Sequence, residues 1–369
     1  MADKDSELQK RLSSIRSEID DIDLKLLKLL SSRAELSLEV GRIKASEEGI
    51  IFKPLREQEI LNELFKNNSG PLPDEHLRAI WREIISSSRV LQRPQNVAYL
   101  GPEGTFSYFA GKEYLGNTNT FLPVSTIADV FQHVTTGTCE IGIVPLENSL
   151  QGTVGVSFDL FLEHEVVILS EFSSRISHCL LSNSTSLTDI KKIYSHPQPL
   201  AQCSNWLSQN LPNVAKIPTE STAAAAHYAT KEKNTASVGH FKLSEMLNLN
   251  ILANRIENHS GNWTRFVIIG PKTAKYTSKN IKTDKTSILF TLPDKVGALS
   301  KVLTLLAKNS INLRKLESRP MRAETWKYVF FVDIACNLEN EIYSNVLEEL
   351  KEICTSFRIL GTYLSGPNL

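Results

Sequence analysis

Between residues 8 and 43, apolar side chains recur at alternating spacings of four and three. They run through Leu8, Leu12, Ile15, Ile19, Ile22, Leu26 and Leu29, and resume at Leu36, Val40 and Ile43. No proline and no glycine interrupts the stretch before Gly41. The period predicts one long helix with a packing seam, capped near Ser6. Continuing the count past Leu29 puts the next seam position at residue 33, which is arginine. A cation on a packing seam must be paired or must bind something, so Arg33 is either a polar residue that sets helix register or a ligand-binding group. Arg16 and Lys44 flank the same seam. They are 28 residues apart, about 42 Å along one helix at about 1.5 Å per residue. One helix cannot bring both to a small molecule. An antiparallel partner helix could set its own Arg16 beside Arg33 and Lys44, so the geometry predicts a shared site in a dimer, suited to a small dianion.

Further helical patterns cover residues 55–65 and about 73–92, the latter with Ile80, Trp81, Ile84, Ile85 and Val90 as apolar surface. Arg93-Pro94-Gln95 ends the helical region. From Asn96 the texture changes to short apolar runs at 97–100, 141–145, 166–169, 193–194, 236–238 and 266–269, separated by helix-length stretches. That alternation predicts an α/β domain with largely parallel strands. Gly270-Pro271 closes it, and residues 272–285 read as a polar linker. The last segment reads strand 287–292, helix 297–309, strand 312–318, strand 328–334, helix 341–354 and strand 358–364, the βαββαβ order of a ferredoxin-like sandwich. The expectation is a multidomain protein: an all-α domain over 1–95, a two-lobed α/β domain over 96–271, a linker over 272–285 and a ferredoxin-like α+β domain over 286–369.

Composition narrows the function. The 369 residues carry 41 Lys plus Arg and 41 Asp plus Glu, a balance that argues against phosphate-backbone binding as the main activity. No apolar run approaches the roughly 18 residues of a membrane span, and the start is charged. Cys139, Cys179, Cys203, Cys336 and Cys354 are odd in number and scattered, with no CxxC pair. They read as reduced thiols in a cytoplasm, and no metal or cofactor is expected.

Within the helical segment, Ile15-Arg16, Ile19-Asp20, Leu29-Leu30, Ser32-Arg33, Glu39-Val40-Gly41 with Lys44, Pro54-Leu55-Arg56-Glu57 and Ser88 to Gln92 resemble the AroQ-type chorismate mutases. The resemblance implies that Arg33 and the partner subunit's Arg16 hold the two carboxylates of chorismate. Lys44 and Gln92 would donate hydrogen bonds to the ether oxygen, Glu57 would take the substrate hydroxyl, and Arg56 and Ser88 would complete the pocket. Such a pericyclic rearrangement needs a held conformer and prearranged donors, not a nucleophile. Lys53 and Leu55 depart from the pattern of some relatives, which have acidic residues there.

In the α/β segment, strand ends carry polar strings where open α/β sheets bind ligands. GPEGTFS at 101–107 follows a strand with a glycine-bearing turn and opens a helix, an arrangement that offers backbone N–H groups to an anion. It is neither GxGxxG nor a Walker loop, so nicotinamide and ATP are unsupported. A lone His196 beside proline reads most simply as a turn residue. GPEGTFS, VPLENS, YSHPQPLAQC, ESTAAAA and NWTRF, in that order, resemble prephenate dehydratase. The resemblance implies a cleft between two lobes. In it Thr264 assists departure of the ring hydroxyl, Asn148 and Gln202 position prephenate, and Arg265 is a candidate for its carboxylate. Ser107, Glu147, Ser195 and Glu220 are further pocket candidates. A threonine hydroxyl is a poor acid at neutral pH, so Thr264 is read as a positioned donor, with the proton's origin open.

In the last segment, Gly297-Ala298-Leu299 lies at a strand-to-helix turn and Glu317-Ser318-Arg319-Pro320 ends a strand. These strings resemble the two motifs of the ACT domain. They imply a site for L-phenylalanine near Gly297, Ala298, Leu299, Glu317, Ser318 and Arg319 at a subunit interface.

Together the resemblances imply conversion of chorismate through prephenate to phenylpyruvate under phenylalanine feedback. The implied assembly is a cytoplasmic homodimer joined through the first helix and the ACT domain, with a higher oligomer left open. Two other readings compete: a dehydratase whose helical segment only dimerises, and a non-enzymatic amino-acid sensor. Retention of Arg16, Arg33, Lys44 and Gln92 weighs against the first, and the ENS and TRF strings weigh against the second. A prephenate dehydrogenase would need the dinucleotide fingerprint that is missing.

Overall fold

The computed structural model describes residues 2–44, 49–274, 281–321 and 327–369, with residues 2–5 described by backbone alone. Three helices open the chain: α1 (Ala2–Ile43), α2 (Pro54–Asn67) and α3 (Asp74–Gln92). The expected cap at Ser6 is corrected, because α1 already runs through it from Ala2. The residues before Ser6 include no proline or glycine to break a helix. Pro54 opens α2, where its missing N–H costs nothing. The seam of α1 faces solvent in the single chain, with Leu8 57% and Leu29 67% exposed. α1 meets α3 toward its C-terminal end. There a Cβ on Gly41 would stand 2.7 Å from the Gln92 carbonyl oxygen, so only glycine allows the approach.

The next elements are β1 (Asn96–Leu100), α4 (Phe106–Leu115), β2 (Thr120–Val124), α5 (Ile127–Thr135), β3 (Ile141–Asn148), β4 (Gly152–Thr153), α6 (Gly155–Glu163) and β5 (Val166–Arg175). A second lobe follows with β6 (Cys179–Ser182), β7 (Lys192–Ser195), α7 (Pro197–Gln202), α8 (Ser204–Asn210), β8 (Ala215–Pro218), α9 (Thr222–Lys231), β9 (Thr235–Gly239), α10 (Leu243–Leu247) and β10 (Asn250–Ala253). The chain then returns to the first lobe as β11 (Trp263–Pro271). The first sheet has the order β2-β1-β3-β11-β5, with β4 paired to β3, and the second β10-β6-β9-β7-β8.

Both sheets are mixed, which corrects the expectation of largely parallel strands. β11 enters between β3 and β5 and runs antiparallel to both, and β6 is antiparallel to β9 and β10. The return leg of a two-lobed chain must fill a slot in the first sheet, and apolar runs alone do not reveal its direction. This slot sets the site, because Thr264 on β11 pairs with Asn148 on β3.

The last domain consists of β12 (Lys285–Thr291), α11 (Ala298–Lys308), β13 (Leu313–Pro320), β14 (Tyr328–Ile334), α12 (Ser344–Ile353) and β15 (Ser356–Tyr363). Its antiparallel sheet, ordered β13-β14-β12-β15, carries α11 and α12 on one face through Phe290, Val302, Leu306, Val332 and Leu350. The other face, with Leu289, Val329, Phe331, Leu360 and Tyr363, joins the core of the first lobe. Lys285 is corrected from linker to strand. It is 5% exposed and ion-paired to Glu171 and Asp333, so a lysine that reads as linker polarity is a buried partner for two carboxylates. Among the described residues no helix is long and apolar enough to cross a membrane.

Candidate functional site

A cavity of about 630 Å³ lies between the C-terminal part of α1, the loop ahead of α2, and α3. Arg33, Lys44, Arg56, Glu57, Ser88 and Gln92 all line it. Lys53, Arg89 and Arg93 line it too, so six cationic residues and one acidic one, Glu57, line the cavity, with Arg89 paired to Glu57, Arg56 to Glu59 and Arg93 to Glu140. This field suits a small dianion. Helical spacing explains the gathering, since Ser88 and Gln92 are one turn apart on α3, and Gln92 Nε2 donates to the Ser88 carbonyl at 3.2 Å. Arg33 donates to Ser88 Oγ, and burial lowers its pKa. The seam arginine therefore points into a site and is not paired within a helix seam. Arg16 is exposed on α1 and lies outside this cavity.

Sequence reasoning missed Arg89. It is 4% exposed, donates to Glu57 Oε1 at 2.5 Å and to the Leu115 carbonyl, and lies over the Phe52 ring. Its place one residue after Ser88 was the available signal.

The second site lies between the two lobes of the α/β domain. Asn148 Nδ2 donates to Asn262 Oδ1 at 2.6 Å and to Thr264 Oγ1 at 3.0 Å. Asn148 Oδ1 meanwhile accepts from the Leu150 and Gln151 amides, both at 3.1 Å. Asn148 thus fixes its own turn and occupies a lone pair of the Thr264 hydroxyl, whose O–H is left to donate. A cavity of about 430 Å³ beside it is lined by Gln151, Gln198, Gln202, Glu257, His259 and Asn262, among others. Gln198 Nε2 donates to Gln151 Oε1 at 2.5 Å and so joins the two lobes across the cleft.

His178, which sequence reasoning also missed, bonds through Nε2 to Gln202 Oε1 at 2.8 Å, and its Nδ1 is buried without a partner. Burial lowers the His178 pKa, opposed by the Gln202 bond and by Glu257. Burial pushes His240 down to about 3, helped by Lys242 and His178. Both rings lie edge-on to Phe106 of the GPEGTFS string. His196 is the N-cap of α7, accepting from the Gln198 amide through Nδ1, as its turn reading has it.

The remaining expected residues scatter. Ser107 is buried in the first turn of α4, Ser195 Oγ donates to the Val238 carbonyl at 2.7 Å, and Glu220 is exposed. Arg265 and Glu147 leave the cleft altogether. Alternation along a strand turns Arg265 to the face opposite Thr264, where it bonds Glu171 at 2.7 Å and Asp333 at 2.6 Å. Glu147 pairs with Lys315 at 2.9 Å. A guanidinium engaged by two carboxylates is not free for a third, and this geometry does not support Arg265 as a holder of substrate.

In the last domain, Gly297 caps α11 with φ +79, a left-handed conformation that favours glycine, beside Ala298 and Leu299. Glu317 accepts from Thr153 Oγ1 at 2.9 Å and Arg319 pairs with Asp159 at 3.1 Å. Both therefore face the first lobe, and Ser318 takes the alternate face of β13.

Fold and cavities define a two-site enzyme with an attached regulatory module, and the comparisons agree. Family models match for Chorismate mutase type II over residues 15–93, Prephenate dehydratase over 97–274 and ACT domain over 286–355. A bifunctional chorismate mutase/prephenate dehydratase of Aquifex aeolicus is 42% identical over 356 residues, covering 95% of this chain and 97% of that one. The chain belongs to the bifunctional chorismate mutase/prephenate dehydratase family, an isomerase and a lyase on one polypeptide. Among solved structures, the prephenate dehydratase of Arthrobacter aurescens in complex with L-Phe superposes with a TM-score of 0.66 at 29% identity, covering 73% of this chain and 89% of that one. A structure titled GqqA, a quorum quenching acylase, gives a TM-score of 0.67 at 28% identity, covering 74% and 98%.

Proposed function

We propose that the chain carries out successive steps of phenylalanine biosynthesis, chorismate to prephenate and prephenate to phenylpyruvate, and that L-phenylalanine inhibits it. The gathering of Arg33, Lys44, Arg56, Glu57, Ser88 and Gln92 around one cavity is the observation that carries the first step. In this reading Arg33 and the partner subunit's Arg16 hold the chorismate carboxylates. Lys44 and Gln92 donate to the ether oxygen as its bond to carbon breaks, and Glu57 accepts from the ring hydroxyl. The exposed apolar seam of α1 supports a homodimer that would bring Arg16 across.

In the second step prephenate takes up one proton and yields phenylpyruvate, carbon dioxide and water, driven by aromatisation. Thr264, with Asn148 on its lone pair, donates to the departing hydroxyl, while Gln202 and Asn262 orient the substrate. Phenylalanine would bind near Gly297, Ala298, Leu299 and Ser318. Glu317 and Arg319, tied to Thr153 and Asp159, would carry its effect to the first lobe. All five cysteines are unpaired, which supports a reducing cytoplasm.

The test is incubation of purified protein with chorismate alone, following chorismate, prephenate and phenylpyruvate with and without phenylalanine. Phenylpyruvate formation suppressed by phenylalanine is expected. Prephenate that accumulates unconverted would remove the second step, and an unchanged rate with phenylalanine would remove the feedback.

A further inference from the structure

The mutase cavity is not built by the helical domain alone. Its wall between α1 and α2 is a loop whose residues Gly49, Ile50, Ile51 and Lys53 line the cavity, and which leads into Arg56 and Glu57 on α2. Ile50 and Phe52 of that loop are 8% and 1% exposed and lie in the core of the dehydratase lobe with Val97, Tyr99 and Ile143. One dehydratase-domain carboxylate, Glu140 immediately before β3, holds the loop. Its Oε1 accepts from the Ile51 amide at 2.6 Å, from the Phe52 amide at 3.3 Å and from Gln95 Nε2 at 2.8 Å. Its Oε2 accepts from Arg93 at 2.7 Å, and the same Arg93 nitrogen donates to the Gly49 carbonyl at 3.0 Å. The Glu140 side chain is 10% exposed and lies outside the helical segment that supplies every residue expected in the mutase site. A second tie runs from Arg89, which joins Glu57 to the Leu115 carbonyl at the end of α4. Thr273 and Ala274, past the end of β11, complete the cavity wall.

We propose that Glu140 is a positioning residue for the mutase reaction: a dehydratase-domain carboxylate that fixes the loop leading into Arg56 and Glu57 on α2. The inference rests on reading this cavity as the mutase site. Two backbone amides, the Gln95 side-chain amide and one guanidinium converge on the carboxylate, so reach matters more than charge. A shortened side chain cannot span Ile51 and Arg93 together, whereas an amide of the same length still accepts from Ile51. Displacing a positioning loop by about 1 Å can cost on the order of 100-fold in rate.

The test compares Glu140→Asp, Glu140→Gln and Glu140→Ala in the full-length protein. Mutase and dehydratase kcat and KM are measured on the same preparations, with chorismate and prephenate supplied separately. Glu140→Asp and Glu140→Ala are expected to lose about 10- to 100-fold in mutase kcat/KM, with dehydratase kcat/KM within twofold of the parent. Glu140→Gln is expected to keep mutase activity within about fivefold. The aspartate variant keeps the charge and decides the matter should the alanine variant fail to fold. Mutase activity within twofold of the parent in Glu140→Asp overturns the proposal, as does a loss shared equally by both activities, which marks a merely structural role. Lys44→Ala runs alongside: if it leaves the mutase unchanged, the cavity assignment itself falls, whereas its inactivation beside an unaffected Glu140→Asp defeats only the role of Glu140.

Discussion

Substituting Asp333 with Asn removes one charge from a buried set of four without changing its shape. Arg265 and Lys285 are the cations, and Glu171 and Asp333 the anions, with side-chain exposures of 15%, 6%, 8% and 9%. Arg265 reaches Glu171 at 2.7 Å and Asp333 at 2.6 Å, while Lys285 reaches them at 2.8 and 3.4 Å. Ser287 and Tyr363 complete the hydrogen bonding. The set is balanced, and it spans the junction between the regulatory domain, which supplies Asp333 and Lys285, and the dehydratase lobe, which supplies Arg265 and Glu171. In Asp333→Asn the two cations share Glu171, since Glu147, 4.0 Å from Arg265, is already paired to Lys315, and an uncompensated buried charge costs about 3–5 kcal/mol. At about 2–4 °C per kcal/mol for a unit of this size, melting of the docked domains should fall by roughly 10 °C. Differential scanning calorimetry at neutral pH reads this directly. Asp333→Asn combined with Lys285→Met restores the balance and should recover most of the loss. A melting temperature within about 2 °C of the parent, or a double variant worse than the single, would refute the argument. The acid limb has a definite sign. Desolvation of Asp333 is its largest influence and raises the pKa, but Arg265, Lys285 and the Ser287 bond outweigh it, so the net shift is downward. A depressed carboxylate contributes stability above its unfolded value near 4, and that contribution is lost as pH falls through the lower folded value.

Other outcomes follow from the same geometry. Thr264→Val keeps the shape but removes the donor, and should lower dehydratase kcat by at least about 100-fold while mutase turnover of chorismate is unchanged; wild-type prephenate turnover would end the proposed role. Gly41→Ala places a Cβ 2.7 Å from the Gln92 carbonyl oxygen and should cost about 1–3 kcal/mol through overpacking, with mutase kcat/KM lowered and dehydratase kcat retained. His240, held down to about 3 chiefly by burial, stays neutral in the folded protein while the unfolded chain takes up its proton near pH 6.5. Its contribution therefore destabilises the fold progressively as pH drops from about 6.5 toward 3. NMR titration of its ring protons should show no change above about pH 4, and a midpoint near 6 would contradict the burial argument.

Local patterning carried much of the architecture. The four–three apolar period showed α1, and Arg33 stood out because a guanidinium interrupts that period. The βαββαβ order of the last domain was readable because β12 and β14 are distinct apolar runs, although β13, LRKLESRP, is not one. Strands β2, β4, β6, β8 and β10 were not readable, since each is only two to five residues long: Pro123 interrupts the apolar residues of β2, and β6, though interior and buried, is a four-residue run. The slot taken by β11 was hidden for a different reason: pairing direction is decided by where the second lobe hands the chain back, a long-range matter. The same distinction governs the sites. Residues within one helical turn or one strand end, such as Ser88 with Gln92 or Asn148 with its turn, could be grouped from spacing or motif. Arg265 misled because a motif gives adjacency along the chain, whereas a strand sends adjacent side chains to opposite faces. Thr264 therefore turns to Asn148, which bonds the cavity-lining Asn262, and Arg265 turns to the regulatory domain. That division gives the strand a mechanical meaning. Any rearrangement that shifts Asp333 pulls through its ion pair on Arg265, the residue next to Thr264, so the regulatory domain has a short route to the dehydratase site, one ion pair and one peptide long. Asp333→Asn should accordingly weaken inhibition by phenylalanine by severalfold, read as the concentration giving half-maximal inhibition. An unchanged inhibition curve would place the coupling elsewhere, with Glu317 to Thr153 and Arg319 to Asp159 the next connections to cut.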